Sequence, residues 1–408
     1  MNWDALFADR TQQMKRSTVR EILKLTSKPE MISFAGGLPA PELFPLERIQ
    51  QASDVVLQER GQEAMQYSTT EGMPELRDLI ARRLSKGKLQ ISRENILITT
   101  GSQQAVDMLA RIFLNEGDRV VVENPTYVGM MTSWRPFNLR FSAVPTDDNG
   151  MIVDELEAIL KDEHKLLYAI PTFQNPQGTT LTLERRVKLA QILNQHNLPL
   201  VEDDPYSELR YSGDPVPSVL QIEAEQRGST TIDGSVIYCG TFSKILTPGL
   251  RIGWVAAAYP VIDKLVQVKQ ATDLHTSTFN QFVSYEVARD DAFLTEHITN
   301  LRRVYRERRD LMLRTMEEHF PQEVTWTHPE GGLFLMVFMP EYLNARDVLK
   351  QALTHNVAFV PCDDFFIGDA GHNAFRLNFS NMRPEMIVEG ITRLGAVLKE
   401  FVRQTSGA

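Results

Sequence analysis

The chain has 408 residues, 42% of them hydrophobic and 24% charged, which is typical of a soluble globular enzyme and not of a disordered or fibrous chain. Its formal net charge of −10 argues against nonspecific binding to nucleic acid or to an anionic membrane surface. Two cysteines, Cys239 and Cys362, provide no disulfide framework and no spacing of metal ligands, so we expect a reducing compartment and no metal site.

The length exceeds what one hydrophobic core usually supports, so it predicts two domains that share an interface. Residues Met1 to Arg10 carry charges and lack the apolar segment of a signal peptide. No run of roughly 18 apolar residues occurs in the chain. We therefore expect a cytoplasmic protein.

The N-terminal region contains a predicted helix and a predicted loop. Apolar residues recur among charges from Arg16 to Leu25, which predicts a short amphipathic helix. The stretch Ile32 to Pro41 contains Gly36 and Gly37 beside prolines, which predicts an ordered loop where the backbone approaches another group closely. A plain linker between domains has the same composition.

Two motifs follow in the first half of the chain. Tyr67 lies in a loop that opens a helix at Pro74, where it could be simply a half-buried aromatic residue. A predicted strand from Ile96 to Thr100 then leads through Gly101 into a helix. The helix start offers free N–H groups and a positive dipole end to a phosphate, with Ser102 and Gln103 as further donors, although such turns are common in α/β proteins.

Two predicted strands each end in a loop with a candidate binding residue. Arg119 to Glu123 precedes Tyr127, which could stack on a planar ring or belong to the core. Leu166 to Ile170 precedes a loop in which two prolines and a glycine hold Asn175 as a directed amide. A helix predicted from Leu183 to Asn194 completes a βαβ crossover.

Three consecutive acids end the predicted strand that begins at Leu198. Crowded like charges require a cation near one of them, and a protonated ring nitrogen is such a cation. Asp203 points to one face of the strand, whereas Glu202 and Asp204 point to the other. We interpret those two as helix-capping or surface acids, and Tyr206 follows Asp203 three residues later.

The segment from Tyr238 to Gly253 places Lys244 between two apolar runs that predict strands. Thr241, Ser243 and Arg251 supply the hydroxyls and the cation that an anionic phosphate needs, and the lysine amine can attack an aldehyde. This combination suggests pyridoxal phosphate bound covalently to Lys244. The alternative from this segment alone is an exposed lysine in a turn with an arginine nearby.

The last third of the chain predicts a helix from Lys264 to Gln270, a long helix from Phe293 to Phe320, and then strands. His275 is interpreted as a structural histidine. Arg376 is flanked by apolar residues in the strand Phe375 to Ser380, where an arginine needs an anionic partner. An internal acid is the ordinary partner for such an arginine.

The sequence Thr241-x-Ser243-Lys244, followed seven residues later by Arg251, resembles the cofactor-lysine motif of fold-type I aminotransferases, with threonine where serine is common. The resemblance extends over nearly the whole chain and is greatest to the 2-aminoadipate and kynurenine aminotransferases. It implies pyridoxal 5'-phosphate on Lys244, with Asp203 paired to the ring nitrogen and Tyr206 and Asn175 bonded to the ring oxygen. The further cofactor contacts that it implies are Ser102, Gln103, Tyr127, Thr241, Ser243, Arg251 and, from a neighbouring subunit, Tyr67.

The same resemblance implies a homodimer with shared sites and a set of substrate contacts. Arg376 would hold the substrate α-carboxylate, with the loop at Gly37 and the amide of Asn175 beside the substrate. Arg20, on a mobile N-terminal helix, would meet a distal carboxylate. Family members usually have glycine where this chain has Cys362, which leaves the shape of that loop open.

The implied reaction is ping-pong transamination, in which Lys244 moves a proton and Asp203 keeps the ring nitrogen protonated, with Tyr206 as the third catalytic residue. Expected donors are 2-aminoadipate, glutamate, leucine, aromatic amino acids and kynurenine, with an acceptor such as 2-oxoglutarate. A lyase or racemase with the same cofactor is an alternative. An aminotransferase-like transcription regulator is another, but the segment before Ile32 is too short for its DNA-binding region.

Strands that alternate with helices and carry functional residues at their carboxyl ends predict an α/β fold with a mostly parallel sheet. The resemblance adds seven strands, one of them antiparallel, and a smaller α+β domain. We expect an N-terminal arm and part of the small domain over residues 1–44, the large cofactor-binding domain over 45–292, and the small C-terminal domain over 293–408.

Overall fold

The computed structural model describes residues 1–14, 21–22 and 30–406. The helices of this part of the chain, numbered in order, are α1 (Leu46–Ala64), α2 (Pro74–Leu84), α3 (Ser102–Phe113), α4 (Val128–Trp134), α5 (Leu156–Ile159), α6 (Leu183–His196), α7 (Val219–Arg227), α8 (Tyr259–Thr272), α9 (Thr278–Ala288), α10 (Asp291–His319), α11 (Ala345–Thr354) and α12 (Pro384–Ser406). The predicted long helix is confirmed as α10, and Pro74 occupies the first turn of α2 as predicted. The predicted helix from Arg16 to Leu25 lies outside the described residues apart from Glu21 and Ile22, which are helical.

The main sheet follows the predicted α/β pattern. Its strands are β2 (Ile96–Thr99), β3 (Arg119–Asn124), β4 (Arg140–Asp147), β5 (Gly150–Met151), β6 (Leu166–Ala169), β7 (Leu200–Asp204), β8 (Val236–Thr241) and β9 (Gly253–Ala256). They lie in the order β2-β9-β8-β7-β6-β3-β4-β5, with β9 antiparallel to both of its neighbours. The expected seven strands are therefore present, and β5 adds an eighth that pairs antiparallel with β4.

Burial explains why these segments form central strands. Every residue of β2, β6, β7, β8 and β9 is buried, as expected when helices cover both faces of a parallel sheet. The valines at the centre of β3 have no exposed surface, and β-branched side chains pack well on a pleated surface. Both faces of these five strands are thus covered, whereas β4, near one edge of the sheet, is mostly only partly buried.

A smaller sheet forms from the last third of the chain. Its strands are β10 (Thr325–Trp326), β11 (Phe334–Phe338), β13 (Val360–Pro361) and β14 (Ala374–Asn378), antiparallel in the order β10-β11-β14-β13. Separately, β1 (Ile32–Ser33) pairs parallel with β12 (Val357–Ala358), which ties the N-terminal segment to the C-terminal part. The domain boundaries after residues 44 and 292 stay predictions.

The topology brings the candidate residues to one edge of the main sheet. Strands β3, β6, β7 and β8 run parallel, so their carboxyl ends lie side by side. Ligands of open α/β sheets bind outside this edge. Among the described residues, no helix is both long enough and apolar enough to cross a membrane.

Candidate active site

Lys244 lies just beyond β8 and reaches back to the predicted glycine loop. Its Nζ donates a hydrogen bond of 2.9 Å to the carbonyl oxygen of Gly37. Desolvation, together with the cations Arg376 and Arg251, lowers the pKa of the Lys244 amine to about 8. About a tenth of this amine is therefore neutral at pH 7, and the neutral form is the one that acts as a nucleophile or accepts a proton.

Asp203 is a buried carboxylate with one oxygen bonded and one not. The Tyr168 hydroxyl donates a hydrogen bond of 2.6 Å to Oδ2, whereas Oδ1 is buried and has no partner among the described residues. Burial raises the pKa of Asp203 to about 7, the Tyr168 hydrogen bond lowers it, and the charge of Asp204 raises it further. An unpaired buried carboxylate oxygen marks the place where a cationic donor would be most stabilising.

The acids that flank Asp203 face the other side of the sheet, as predicted. Glu202 accepts hydrogen bonds of 2.8 and 2.9 Å from the backbone N–H groups of Val219 and Leu220, so it caps α7. Asp204 accepts a hydrogen bond of 2.7 Å from the Tyr238 hydroxyl. Both side chains are buried, so neither is a surface acid.

Arg376, in the centre of β14, meets the site from the smaller sheet. Its Nη1 donates to Asn175 Oδ1 at 2.7 Å and its Nη2 to the Ala35 carbonyl oxygen at 2.9 Å, while Nε is buried without a partner. Its guanidinium lies 4.2 Å from the ring centroid of Phe334. No carboxylate of the described residues forms an ion pair with Arg376, so the internal salt bridge considered from the sequence is not formed there. Burial raises the pKa of the Tyr206 phenol, and the nearby Asn175 side chain opposes that rise.

The loop that carries Asn175 is anchored from both sides. Arg186 donates hydrogen bonds of 2.8 Å to both the Pro171 carbonyl oxygen and Thr172 Oγ1. Glu123 accepts a hydrogen bond of 2.8 Å from the Ile170 N–H, and its burial raises its pKa to about 8. The amide of Asn175 is thus positioned by a hydrogen-bonded loop and not by proline stiffness alone.

A tight backbone turn at Gly101 precedes α3. Gly101 has φ 79°, and a Cβ at this position would lie 2.4 Å from Nη2 of Arg251, so only glycine lets the guanidinium lie against the turn. Arg251 itself adopts a left-handed conformation with φ 55°, a strain that is often found at functional sites. The hydroxyls of Thr241 and Ser243 are 2.9 Å apart below this turn. The free N–H groups of α3, which starts at Ser102, and the Arg251 cation together suit a phosphate.

Gln103 and Tyr127 form a pair beside this region. The Gln103 amide donates to the Gly129 carbonyl oxygen at 2.9 Å and to Ser133 Oγ at 2.6 Å, and its oxygen accepts from the Tyr127 hydroxyl at 3.3 Å. The side chain of Gln103 therefore supports the position of Tyr127, and its donors are directed at these protein groups.

Of the remaining predicted site residues, Tyr67 lies on the surface. Tyr67 is 79% exposed, with an edge contact of 5.8 Å between its ring and that of His275, and it lines a surface concavity of about 650 Å³. Arg20 lies outside the described residues. Cys362 is buried in an ordinary right-handed conformation, with φ −97° and ψ −1°, so its loop does not need glycine.

The contributions of Tyr168, Ala35 and Phe334 were not predicted from the sequence. In the sequence, Tyr168 is simply part of a predicted buried strand. A signal was present, because a tyrosine inside a buried strand must find a partner for its hydroxyl. The carbonyl of Ala35 and the ring of Phe334 carry no such signal, since any residue has a carbonyl and any core has aromatic rings.

These groups fit a phosphorylated aromatic aldehyde that binds a lysine. The unpaired Asp203 Oδ1 suits a ring nitrogen that carries a proton, the turn at Gly101 and Arg251 suits a phosphate, and the partly neutral amine of Lys244 suits an aldehyde carbon. Arg376, with no acid partner in the described residues, suits the carboxylate of a second molecule. The fold and the site together define an enzyme that uses pyridoxal phosphate.

Comparison with known proteins identifies the family. Residues 31–394 match the family model of aminotransferase class I and II. The chain is 41% identical to aromatic-amino-acid aminotransferase 1 of Thermococcus litoralis, over 99% of this chain and 96% of the relative. The structure of alpha-aminoadipate aminotransferase from Thermus thermophilus, complexed with N-(5'-phosphopyridoxyl)-L-leucine, is 40% identical, with a TM-score of 0.92, and covers 99% of this chain and 100% of that chain. The structure of Pyrococcus horikoshii kynurenine aminotransferase, in complex with PMP, is 40% identical over 98% of each chain, with a TM-score of 0.92.

The chain therefore belongs to the class I and II aminotransferases. Its cofactor is pyridoxal 5'-phosphate, and its reaction is transamination. The predicted family, fold class, cofactor and reaction are confirmed.

The lowered pKa of Lys244 gives a first prediction. In the cofactor-free protein the Lys244 amine should react with an electrophile at a rate that rises with pH and has its midpoint at about 8, because only the neutral amine reacts. Arg376→Leu removes a cation that lowers this pKa, so the midpoint should move to higher pH. Reductive methylation followed by mass spectrometry of the Lys244 peptide measures both midpoints.

The control is Arg393→Leu, because Arg393 pairs with Glu389 on the surface of α12. This variant should leave the Lys244 midpoint unchanged. A midpoint that is the same in Arg376→Leu and in the unaltered protein would contradict the proposed influence of the guanidinium.

Proposed function

We propose that this enzyme moves the amino group of an L-amino acid to a 2-oxo acid such as 2-oxoglutarate by a ping-pong mechanism. The donors that we propose are 2-aminoadipate, glutamate, leucine, aromatic amino acids and kynurenine. The observation that carries the proposal is Arg376, a buried guanidinium whose hydrogen bonds go to neutral groups and whose Nε has no partner in the described part of the chain. The names of the relatives support the same range of donors. We place the enzyme in the cytoplasm, where its two buried free cysteines stay reduced.

The roles of the residues follow from their surroundings. When bound, pyridoxal phosphate supplies a ring that accepts electrons from the substrate Cα. Asp203 Oδ1 would accept a hydrogen bond from the ring nitrogen and stabilise its proton, and Tyr206 and Asn175 would hold the ring oxygen. Lys244 would bind the aldehyde and, once released, would carry a proton from the substrate Cα, because its amine exchanges protons near neutral pH.

Other residues would hold the phosphate of the cofactor and the α-carboxylate of the substrate. The N–H groups at Ser102, the hydroxyls of Thr241 and Ser243, and the Arg251 guanidinium would bind the phosphate. Arg376 would hold the substrate α-carboxylate in a two-pronged contact, which its planar fork suits. The Gly37 carbonyl accepts a hydrogen bond from Lys244, and a Cβ on Gly37 would lie 3.3 Å from the Phe334 ring, so we propose that the glycine loop lies across the substrate.

The second prediction is that Lys244 binds the cofactor covalently and is required for turnover. Purified protein reduced with borohydride should carry the cofactor mass on the Lys244 peptide, and Lys244→Ala should retain cofactor by phosphate contacts but lose nearly all turnover. The matched control is Lys269→Ala, since Lys269 is a buried lysine that pairs with Asp273. Labelling of any other peptide contradicts the assignment.

A panel of amino acids with 2-oxoglutarate, followed by product analysis, defines the donors and separates a transaminase from a lyase or racemase.

We also propose a homodimer with shared sites. Tyr67 is 79% exposed and lines the surface concavity, and Leu57, Met65 and Leu274 are likewise exposed large apolar side chains. Helices α1 and α9 pack together beneath this surface. Exposed large apolar side chains are typical of an interaction surface. The proposed role of Tyr67 in binding the phosphate of the neighbouring subunit would place it in such an interface.

The third prediction uses mixed dimers. If Tyr67 serves the neighbouring site, a dimer of Tyr67→Phe and Lys244→Ala subunits contains one site with both changes and one with neither. Mixing should therefore give activity above the average of the two parents. Subunit exchange is verified by co-purification of differently tagged chains. If activity stays at the average of the two parents after verified exchange, the sites are not shared.

The choice of substrate is proposed to depend on Arg20. The support is the resemblance of its surrounding sequence to the N-terminal helix of 2-aminoadipate aminotransferases, together with the name of a relative of that activity. In this proposal Arg20 meets the distal carboxylate while Arg376 holds the α-carboxylate. A helix that can move away would also admit apolar and aromatic side chains.

The fourth prediction follows from that division of roles. Arg20→Ala should weaken the use of 2-aminoadipate and glutamate by roughly 2–5 kcal/mol, the scale for truncating one partner of a buried charge pair. Values of kcat/KM for leucine should change little, because leucine has no distal carboxylate. Arg10→Ala serves as the matched control. An equal loss for leucine and 2-aminoadipate would show that Arg20 acts on folding or closure in general.

A further inference from the structure

The Tyr168 hydroxyl contacts the carboxylate that is proposed to hold the cofactor ring. Tyr168 lies on β6 and Asp203 on the neighbouring strand β7, where Tyr168 pairs in register with Val201. Its Oη donates to Asp203 Oδ2 at 2.6 Å. Both side chains are buried, so this hydrogen bond forms where water does not compete for either group.

The direction of this hydrogen bond is fixed by the charge of the acid. Burial and the nearby Asp203 raise the pKa of the Tyr168 phenol well above its ordinary value, so the hydroxyl keeps its proton and remains a donor. A phenol O–H directed at a carboxylate is a charge-assisted hydrogen bond. It satisfies Oδ2 with a neutral donor and leaves Oδ1 as the acceptor without a partner in the described residues.

The Tyr168 ring is itself held in place by packing against Trp134. The Trp134 ring lies edge-on to the Tyr168 ring, with 5.8 Å between centroids. Trp134 Nε1 donates a hydrogen bond of 2.9 Å to the Val106 carbonyl oxygen in α3. Because α3 begins at the proposed phosphate site, one set of packed side chains joins the two ends of the cofactor site.

We propose that Tyr168 is a positioning residue for transamination: it holds the rotation of the Asp203 carboxylate so that Oδ1 is presented to the cofactor ring nitrogen. This inference rests on the proposed pairing of Asp203 with that nitrogen. Without the hydroxyl, Asp203 would have two unsatisfied oxygens and no preferred rotation. Its carboxylate would also lose the hydrogen bond that favours its charged form.

The test compares two ligands in the full-length protein from which cofactor has been removed. One is pyridoxal phosphate, and the other is its analogue with a C–H group in place of the ring nitrogen. Tyr168→Phe removes only the hydroxyl. The ratio of the two dissociation constants reports the contact with the ring nitrogen, because a general loosening of the site weakens both ligands equally. The preference for pyridoxal phosphate should fall about 10- to 100-fold in Tyr168→Phe, the range expected for losing a hydrogen bond to a charged group.

The chain offers a matched control in Tyr238. Its hydroxyl donates to Asp204 Oδ2 at 2.7 Å, and both groups are buried on the opposite face of β7. Tyr238→Phe removes the same kind of hydrogen bond from the neighbouring acid, and it should leave the ratio unchanged. An unchanged ratio in Tyr168→Phe, or an equal fall in both variants, overturns the proposal.

Asp203→Asn separates this proposal from the assignment on which it rests. That variant should lower the ratio, and adding Tyr168→Phe to it should lower the ratio no further, because the two residues act on one contact. An unchanged ratio in Asp203→Asn contradicts the pairing of Asp203 with the ring nitrogen. A lowered ratio in Asp203→Asn with an unchanged ratio in Tyr168→Phe contradicts only the role of Tyr168.

If Tyr168→Phe does not fold, thermal denaturation compares its stability with that of the double variant that also carries Asp203→Asn. If an unpaired buried carboxylate causes the failure, the double variant with Asp203→Asn should fold, which would support the coupling of the two residues. If the double variant is as unstable as Tyr168→Phe, the hydroxyl serves the packing of the sheet and the proposal is wrong.

Discussion

Desolvation of the Asp203 carboxylate is the constraint on which the rest of the site depends. A carboxylate at the end of a fully buried strand loses its water, and the hydrogen bond from Tyr168 replaces only part of that hydration. The second oxygen has no partner in the described residues, so a cationic donor from outside the chain is the most favourable way to satisfy it. The neighbouring acids do not share this state, because Glu202 caps a helix and Asp204 binds Tyr238.

The parallel sheet explains how the other groups meet this carboxylate. Asn175 and Lys244 follow β6 and β8, the two neighbours of β7, so their loops begin at the same edge. Arg376 comes from the other sheet and reaches the edge through its hydrogen bond to Asn175. The bond between the Lys244 amine and the Gly37 carbonyl brings the N-terminal loop to the same place. Chain segments that are far apart in sequence thus converge because strand ends and a second sheet meet at one edge.

Much of this arrangement could be predicted from the sequence, and the missing parts have a common cause. Asp203, Lys244 and Arg376 carry charge in apolar surroundings, and a buried charge indicates that a partner is needed. The alternation of side chains along a strand also separated Asp203 from its neighbours correctly. Interactions between elements were not accessible in this way. The Tyr168 hydroxyl finds Asp203 only through the pairing of β6 with β7, and the direction of the Gln103 amide depends on α4. The two-residue strand β5 was missed because its pairing depends on a turn and not on an apolar run.

The shifted pKa values show why the site favours a bound ligand. The pKa of Asp203 is raised from 3.8 to about 7. The charge of Asp203 therefore lowers the free energy of unfolding as the pH rises above 3.8, and this loss reaches its full size above about pH 7. The pKa of Lys244 is lowered from 10.5 to about 8. The charge of Lys244 therefore lowers the free energy of unfolding by its full amount below about pH 8, and this loss disappears as the pH rises toward 10.5. Near neutral pH both losses of stability therefore act together. A ligand that brings a cationic nitrogen to Asp203 and converts the Lys244 amine removes them at once, and binding is thereby linked to the stability of the folded chain. The two residues that make the site reactive therefore also destabilise the folded chain when no cofactor is bound.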